Sequence, residues 1–134
     1  MSATRIHYLA HFSSLYQFRS PEEYAYEGET EKIDVYSLGN VFYVLLTKLY
    51  PFEDIDESED AQKKIMNEKR PHIGHKLRES DDPFTQALIK AIHMCWVHDP
   101  VERASSRKVQ QFLQSELKRQ GVDPEKSLSE DEKK

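Results

Sequence analysis

Histidine and cysteine side chains are the groups of this sequence that could bind a metal ion. His93, Cys95 and His98 lie close together, and His72 lies three positions before His75. Side chains two positions apart on a helix point in different directions, and Cys95 belongs to an apolar pattern. A structural thiol beside ordinary surface histidines therefore explains these residues better than a zinc site with convergent ligands. We predict no metal-binding residue in this chain.

Nucleotide chemistry would require glycines close together, because the backbone of a phosphate-binding loop approaches its ligand closely. The glycines of this chain are far apart, and none of them forms such a loop: Gly28, Gly39, Gly74 and Gly121. The sequence therefore predicts no phosphate-binding loop in this chain.

The composition indicates one small domain with part of the chain outside its core. Its 134 residues suffice for one core, and 37% are hydrophobic and 32% charged, with a mean hydropathy of -0.79. The net charge of -5 argues against nucleic acid or an anionic membrane as the partner. The single cysteine suits a reducing compartment, and the longest apolar run, residues 41–46, is far shorter than the roughly 20 residues that span a bilayer. We predict an intracellular protein, cytoplasmic or nuclear.

Apolar residues recur at helical spacing over residues 34–47 and predict a helix around which the other elements pack. Asp34 stands at an N-cap position, and polar groups occupy only a narrow face around Ser37 and Asn40. A helix that is apolar on nearly all sides is normally buried on most of them. We therefore expect a core that contains Leu38, Phe42, Leu45 and Trp96.

Shorter signals predict further helices on both sides of this one. Three of these helices follow plausible N-cap residues, which are Ser20, Asp82 and either Ser105 or Ser106. Residues 61–66 predict a weak helix, whereas residues 72–80 show no period and predict a loop. Gly121 stands where the last helix would stop. Strand patterns are nearly absent, so the sequence predicts a mainly α fold.

Three collinear segments between residues 12 and 117 resemble the C-terminal lobe of eukaryotic protein kinases. Ser20-Pro21-Glu22 resembles the Ala-Pro-Glu motif that closes the activation segment. Asp-Val-Tyr-Ser-Leu-Gly at residues 34–39, followed by Leu-Leu-Thr and Pro-Phe, resembles the family's Asp-Val-Trp-Ser-Leu-Gly helix. Cys-Trp-x-x-Asp-Pro-x-x-Arg at residues 95–103 resembles the turn before the last helix. The resemblance implies a partial kinase C-lobe, helices F to I, without the ATP-binding N-lobe.

The resemblance also implies roles for individual side chains. Glu22 would form a structural ion pair with Arg103, joining the end of the activation segment to the turn before the last helix. Asp34 would anchor the catalytic loop by accepting hydrogen bonds from its backbone. The end of the activation segment would form a wall that receives the substrate, with the side chains of Leu15, Tyr16, Phe18 and Arg19.

Departures from the family pattern leave the substrate class open. Tyr36 replaces tryptophan, Lys48 replaces glycine, and Leu15 stands where many serine/threonine kinases carry threonine. The Cys-Trp pair is typical of tyrosine kinases and of tyrosine-kinase-like serine/threonine kinases, and we favour the latter. The implied organisation is an activation-segment-like region in residues 1–19, a partial kinase domain in 20–120 and a disordered charged tail in 121–134.

The motifs that are missing from the sequence determine the predicted activity. Phosphoryl transfer requires a glycine-rich loop, a strand lysine, a His-Arg-Asp loop and a metal-binding Asp-Phe-Gly, and the sequence contains none of them. We therefore predict the C-terminal portion of a protein kinase domain that is inactive alone. This chain would have no catalytic residue, no cofactor-binding residue and no cofactor, with ATP and Mg²⁺ used only by the intact family. The alternative is a non-catalytic protein-interaction module that keeps the substrate-docking lobe. In both cases the expected partner is a protein.

Overall fold

The computed structural model describes residues 15–126, and this part of the chain is helical. A 3-10 helix, Leu15–Phe18, precedes α1 (Pro21–Tyr24), α2 (Lys32–Thr47), α3 (Ser58–Met66), α4 (His75–Arg78), α5 (Pro83–Cys95) and α6 (Ser106–Arg119). No strand occurs in residues 15–126, so the predicted mainly α fold is confirmed. Most of the region predicted at 1–19, and most of the tail predicted at 121–134, lies outside the described residues.

Helix α2 begins two residues earlier than the sequence predicts. The Thr30 hydroxyl oxygen accepts a hydrogen bond from the N–H of Lys32 at 3.2 Å, whereas Asp34 lies in the first turn. The prediction that Asp34 is the N-cap is therefore wrong, although its carboxylate still lies near the positive end of the helix dipole. The helix ends at Thr47, and the next residue, Lys48, adopts a left-handed φ of 62° and donates its N–H to the Val44 carbonyl at 2.8 Å.

Local capping explains why α5 and α6 begin where the sequence predicts, whereas α3 begins at Ser58, before the predicted residues 61–66. The Asp82 carboxylate accepts the N–H of Thr85 at 2.8 Å, and the Ser105 hydroxyl accepts the N–H of Lys108 at 3.2 Å. Hydrogen bonds from Thr85 lower the pKa of the Asp82 carboxyl. Gly121 follows α6 with a φ of 78°, a conformation that glycine adopts without strain. The predicted loop at 72–80 contains the short helix α4, which is too brief to show a period.

Helix α2 packs against α5, and α5 packs in turn against α6. The closest approach occurs at Gly39, where an added Cβ would lie 2.6 Å from the Cβ of Cys95 and 2.9 Å from Cδ1 of Trp96. A side chain at this position would thus overlap α5. Glycine allows the two backbones to come close, and so it determines how deeply α2 sits in the core.

The core consists of two clusters of buried side chains that share α2 and α5. The larger cluster contains Tyr36, Tyr43, Phe52, Ala61, Ile65, Ile73, Ile89, Ile92 and Trp96. The smaller cluster contains Val35, Ala91, Cys95 and Val109. Phe42 is partly buried and packs against both clusters. The larger cluster therefore joins α2 and α5 to α3, and the smaller cluster joins them to α6.

Two of the expected core side chains lie away from these clusters. Leu38 is half-buried, and Leu45 is 56% exposed, so the prediction that Leu45 belongs to the core is wrong. Leu45 and Val41, which is 45% exposed, share the face of α2 that no described element covers. Periodicity showed that α2 is apolar on most sides, but packing partners within residues 15–126 cover only some of them.

Candidate functional site

Helix α1 places a carboxylate at the centre of the molecule. Ser20 donates both its N–H and its hydroxyl to the Glu23 carboxylate, at 2.6 and 2.9 Å, and Pro21 occupies the first helical position. These contacts fix the single turn of α1 at its start. Glu22 then points inward, and its side chain is 2% exposed.

Arg103 holds this carboxylate through two parallel hydrogen bonds. Its Nη1 donates to Glu22 Oε1 at 2.6 Å, and its Nη2 donates to Glu22 Oε2 at 2.9 Å. The Arg103 side chain has no exposed surface. A planar guanidinium matches a carboxylate in this way, and a lysine could not. The structure thus brings Glu22 and Arg103 together across 81 positions of the sequence.

The remaining donors of Arg103 bind backbone carbonyls. Nε donates to Val97 at 2.8 Å, Nη2 to His98 at 3.0 Å, and Nη1 to Lys32 at 2.6 Å. A guanidinium has five N–H groups, and each of them has an acceptor in this network. Arg103 therefore joins α1, the start of α2 and the turn after α5 in one hydrogen-bonded unit.

The environment of Glu22 favours its charged form. Burial would raise the pKa of this carboxyl, but the hydrogen bond and the positive charge of Arg103, with further hydrogen bonds, outweigh it and lower the pKa. Lys32 adds a second cation at the same place, because its Nζ donates to the carbonyls of Pro100 and Arg103. The site is therefore a closed charge network, with its polar groups used internally.

Two arginines approach the ring of Tyr36 next to this network. The guanidinium carbons of Arg70 and Arg103 lie 5.2 and 5.1 Å from the centre of its ring. Cations at this distance from an aromatic ring are attracted by its π electrons. Burial raises the pKa of the Tyr36 phenol to about 12, so it stays neutral. A tyrosine thus serves at the position where the resemblance expects tryptophan.

Arg70 is a site residue that the sequence did not predict. Its Nε donates to the Trp96 carbonyl at 2.9 Å, and its Nη1 donates to the Lys69 carbonyl at 2.9 Å. In the sequence Arg70 belongs to a basic run that is typical of a solvated helix face. The neighbouring Pro71 predicts only that the preceding helix ends before this point.

The narrow polar face of α2 holds the segment before α1. Ser37 Oγ and Asn40 Nδ2 both donate to the Phe18 carbonyl, at 3.1 and 3.2 Å. Asn40 Oδ1 also accepts a hydrogen bond from Trp96 Nε1 at 3.0 Å. Asn40 is almost completely buried, so its amide connects the 3-10 helix to the end of α5. This position looked polar in the sequence, but its partners could not be read there.

The predicted substrate wall is only partly visible in the structure. Phe18 is half-buried and Arg19 is exposed, while Leu15 and Tyr16 lie in the 3-10 helix with side chains outside the described part of the molecule. Asp34 is exposed, and its carboxylate makes no hydrogen bond in the described part of the chain. The roles of these residues remain predictions.

The histidine and cysteine side chains of residues 15–126 do not converge with carboxylates in a cluster of metal ligands. No group of three or more histidine, cysteine, aspartate or glutamate residues could hold a metal ion there. Burial raises the pKa of the Cys95 thiol to about 11, which keeps it protonated. Among the described helices, none combines the length and the apolar character needed to cross a membrane.

Comparison with known proteins agrees with this arrangement. A family profile described as "Protein kinase domain" matches residues 2–117. The dual specificity protein kinase pyk3 of Dictyostelium discoideum is 37% identical over 93 residues, which are 69% of this chain and 6% of that protein. The dual specificity protein kinase shkE of the same organism is 36% identical over 104 residues, which are 75% of this chain and 13% of that protein.

A third relative is a probable serine/threonine-protein kinase of Dictyostelium discoideum, which is 31% identical over 99 residues. The match covers 74% of this chain but 10% of that protein. The chain therefore spans a small part of the length of the curated relatives that it matches. Because the profile matches most of the chain, and the Ser-Pro-Glu and Asp-Pro-x-x-Arg segments meet in a buried ion pair, this chain belongs to the protein kinase family.

Proposed function

We propose that this chain is the C-terminal portion of a protein kinase domain, from the end of the activation segment to the last helix. The observation that carries the proposal is the bidentate pair between Glu22 and Arg103, within a helical fold whose sequence matches the kinase profile. In the intact protein, the domain would transfer the γ-phosphoryl group of ATP to serine or threonine side chains of other proteins.

The residues of this chain would support that reaction by position alone. The Ser37 and Asn40 contacts hold the Phe18 carbonyl, and thereby the wall that would receive a substrate. Asp34 lies exposed at the start of α2, where its carboxylate could accept hydrogen bonds from a catalytic loop. ATP and Mg²⁺ would be bound by other parts of the intact domain, since residues 1–134 carry no motif for either.

The first test is an activity assay of the chain alone. Purified chain, radiolabelled ATP, Mg²⁺ and a generic protein substrate should give no incorporation above a control without the chain. Incorporation above that control would overturn the proposal that the chain is inactive alone.

The second test is the coding sequence immediately upstream. An in-frame His-Arg-Asp and Asp-Phe-Gly would support a kinase domain of which this is one portion. A promoter and a transcript that starts at Met1 would instead favour a second candidate, a non-catalytic interaction module that keeps the docking lobe. Both candidates are consistent with the absence of every ATP-site motif from residues 1–134.

Both candidates imply the same class of partner and the same cellular location. We propose a protein partner, either a substrate or the remaining part of the kinase, rather than nucleic acid or a membrane. The net charge of -5 supports this choice, because phosphate backbones and anionic lipids attract basic surfaces. A single cysteine supports a cytoplasmic or nuclear location.

A further inference from the structure

Tyr26 is an aromatic side chain that lies almost fully exposed on the surface of the described part of the chain. It is 97% exposed, packs against neither core cluster and forms no hydrogen bond in the described part of the chain. Its backbone has a φ of 54°, in the left-handed region that favours glycine or asparagine. A residue that combines strain with full exposure suggests a role that depends on its side chain being accessible.

The other tyrosines of residues 17–126 behave differently. Tyr36 and Tyr43 are buried, and the Tyr43 hydroxyl donates to the His72 carbonyl at 3.0 Å. Tyr24, two positions before Tyr26, is half-buried, and burial raises the pKa of its phenol to about 12. Tyr50 is 43% exposed, less than half the exposure of Tyr26. Tyr26 is thus the described tyrosine that presents its hydroxyl most fully to solvent.

The chain around Tyr26 could enter the active site of another enzyme. Residues 26–31 are all exposed and lie between α1 and α2. The backbone contact at the start of this loop is the hydrogen bond from the Glu27 N–H to the Glu22 carbonyl, at 3.1 Å. The loop carries three glutamates but no large apolar group after Tyr26, so extending it would expose no core surface.

We propose that Tyr26 is a phosphorylation site for a tyrosine-directed kinase that acts on this chain in trans, with ATP as the phosphoryl donor. The Tyr26 hydroxyl oxygen forms a bond to the γ-phosphorus, and the bond from that phosphorus to the β,γ-bridging oxygen breaks. The bridging oxygen keeps the electron pair and leaves with ADP. The phenolic proton passes to a base of the modifying kinase.

The cavity beside Tyr26 is lined by side chains of both charges, the cationic Arg19 and the anionic Glu23. Tyr26 and Arg19 line the same cavity of about 230 Å³, together with Glu23 and Ser58. A phosphate carries about -1.5 to -2 charges at neutral pH and suits the planar fork of an arginine. Because Arg19 belongs to the proposed substrate wall, the modification would change the charge of that wall; this step rests on the proposed function.

The proposal is tested by mapping phosphorylation sites on the full chain. The chain is incubated with a tyrosine kinase of broad specificity and ATP, and the sites are quantified by mass spectrometry over time. Tyr26 should be modified at least tenfold faster than Tyr24 and Tyr43. Tyr26→Phe should abolish the signal of its own peptide, while Tyr24→Phe should leave it intact. Equal rates at Tyr26 and Tyr24, or an unmodified Tyr26, would overturn the proposal.

A second measurement tests the contact with Arg19. In the phosphorylated chain, ³¹P NMR should give a second phosphate pKa several tenths of a unit below that of the same chain in urea. Arg19→Gln should remove this difference, whereas Arg107→Gln, at another exposed position, should not. An unchanged value in Arg19→Gln would overturn the contact with Arg19. It would leave both the modification of Tyr26 and the proposed kinase function standing, because the mapping and activity assays test those separately.

Discussion

At the scale of single residues, Arg103 determines the positions of segments that are far apart in the sequence. It binds the Glu22 carboxylate, two carbonyls after α5 and the carbonyl of Lys32 at the start of α2. Its charge is buried, so its desolvation must be balanced by these contacts. Removing either partner should therefore be costly, because it would leave the other charge buried and unpaired.

Glu22→Ala should destabilise the chain by about 3–5 kcal/mol, because it leaves the guanidinium buried without its counter-charge. Arg103→Lys should also destabilise it, since an ammonium cannot form the bidentate contact. Urea midpoints followed by far-UV circular dichroism measure both effects. The exposed Arg107→Lys is the matched control and should stay within about 0.5 kcal/mol of the unmodified chain. Equal midpoints for Glu22→Ala and this control would show that the pair does not stabilise the fold.

The same pair should make the chain sensitive to acid. The pKa of Glu22 is lower in the folded chain than the ordinary value of 4.5, so the unfolded chain binds the proton more readily. The contribution to stability is thus present above pH 4.5 and is lost as the pH falls through the lower, folded pKa. The urea concentration at the unfolding midpoint, measured from pH 7 down to pH 3, should decrease once the pH is below about 4.5. This decrease should be less steep in Glu22→Gln. Identical slopes in the two chains would contradict this assignment.

At the scale of elements, the helices that follow local capping signals were predicted well. Asp82 and Ser105 precede α5 and α6 as expected, because a cap needs only the residue itself and the next turn. The start of α2 was predicted two residues late, since Thr30 binds the Lys32 N–H from outside the apparent helix. Where a helix starts depends mainly on residues that are close to it in the sequence, so capping residues can be identified from the sequence alone.

Side-chain partners across the molecule were predicted less well. The sequence alone showed neither that Arg70 would bind the Trp96 carbonyl nor that Asn40 would connect Trp96 to Phe18. Such contacts depend on how the helices pack against one another. A basic or polar residue type does not indicate which distant residue its side chain will contact. The partnership of Glu22 with Arg103 was expected only through the kinase resemblance, because two separate solvated charges would fit the sequence equally well.

Gly39→Ala should test the packing of α2 against α5. The new Cβ would lie 2.6 Å from the Cβ of Cys95, which is closer than carbon atoms can approach. The helices must then separate, and overpacking of this kind costs about 1–3 kcal/mol. Gly28→Ala is the control, because no atom lies within 4 Å of its added Cβ. A urea midpoint for Gly39→Ala equal to that of Gly28→Ala would contradict the close contact.

At the scale of the whole molecule, the chain exposes an apolar face of its central helix. Periodicity alone could not tell which sides of α2 are covered, and Leu45 was assigned to the core for that reason. In the structure Val41 and Leu45 are one turn apart on α2 and are 45% and 56% exposed. Packing on α5 buries the opposite side of the helix. In the proposed intact kinase domain, the part that is missing from this chain would cover this face.

The double variant Val41→Lys with Leu45→Lys should therefore keep the fold of the chain while removing its exposed apolar face. Both positions are about half exposed, so charged side chains can reach water there, and stability should change by no more than about 1 kcal/mol. Binding of an apolar dye and light scattering should fall, because the exposed patch that causes them is gone. Ile92→Lys is the contrasting variant, since Ile92 is completely buried and a charge there should unfold the chain. If the double variant unfolds as Ile92→Lys does, this face of α2 is covered in solution and the chain associates through it.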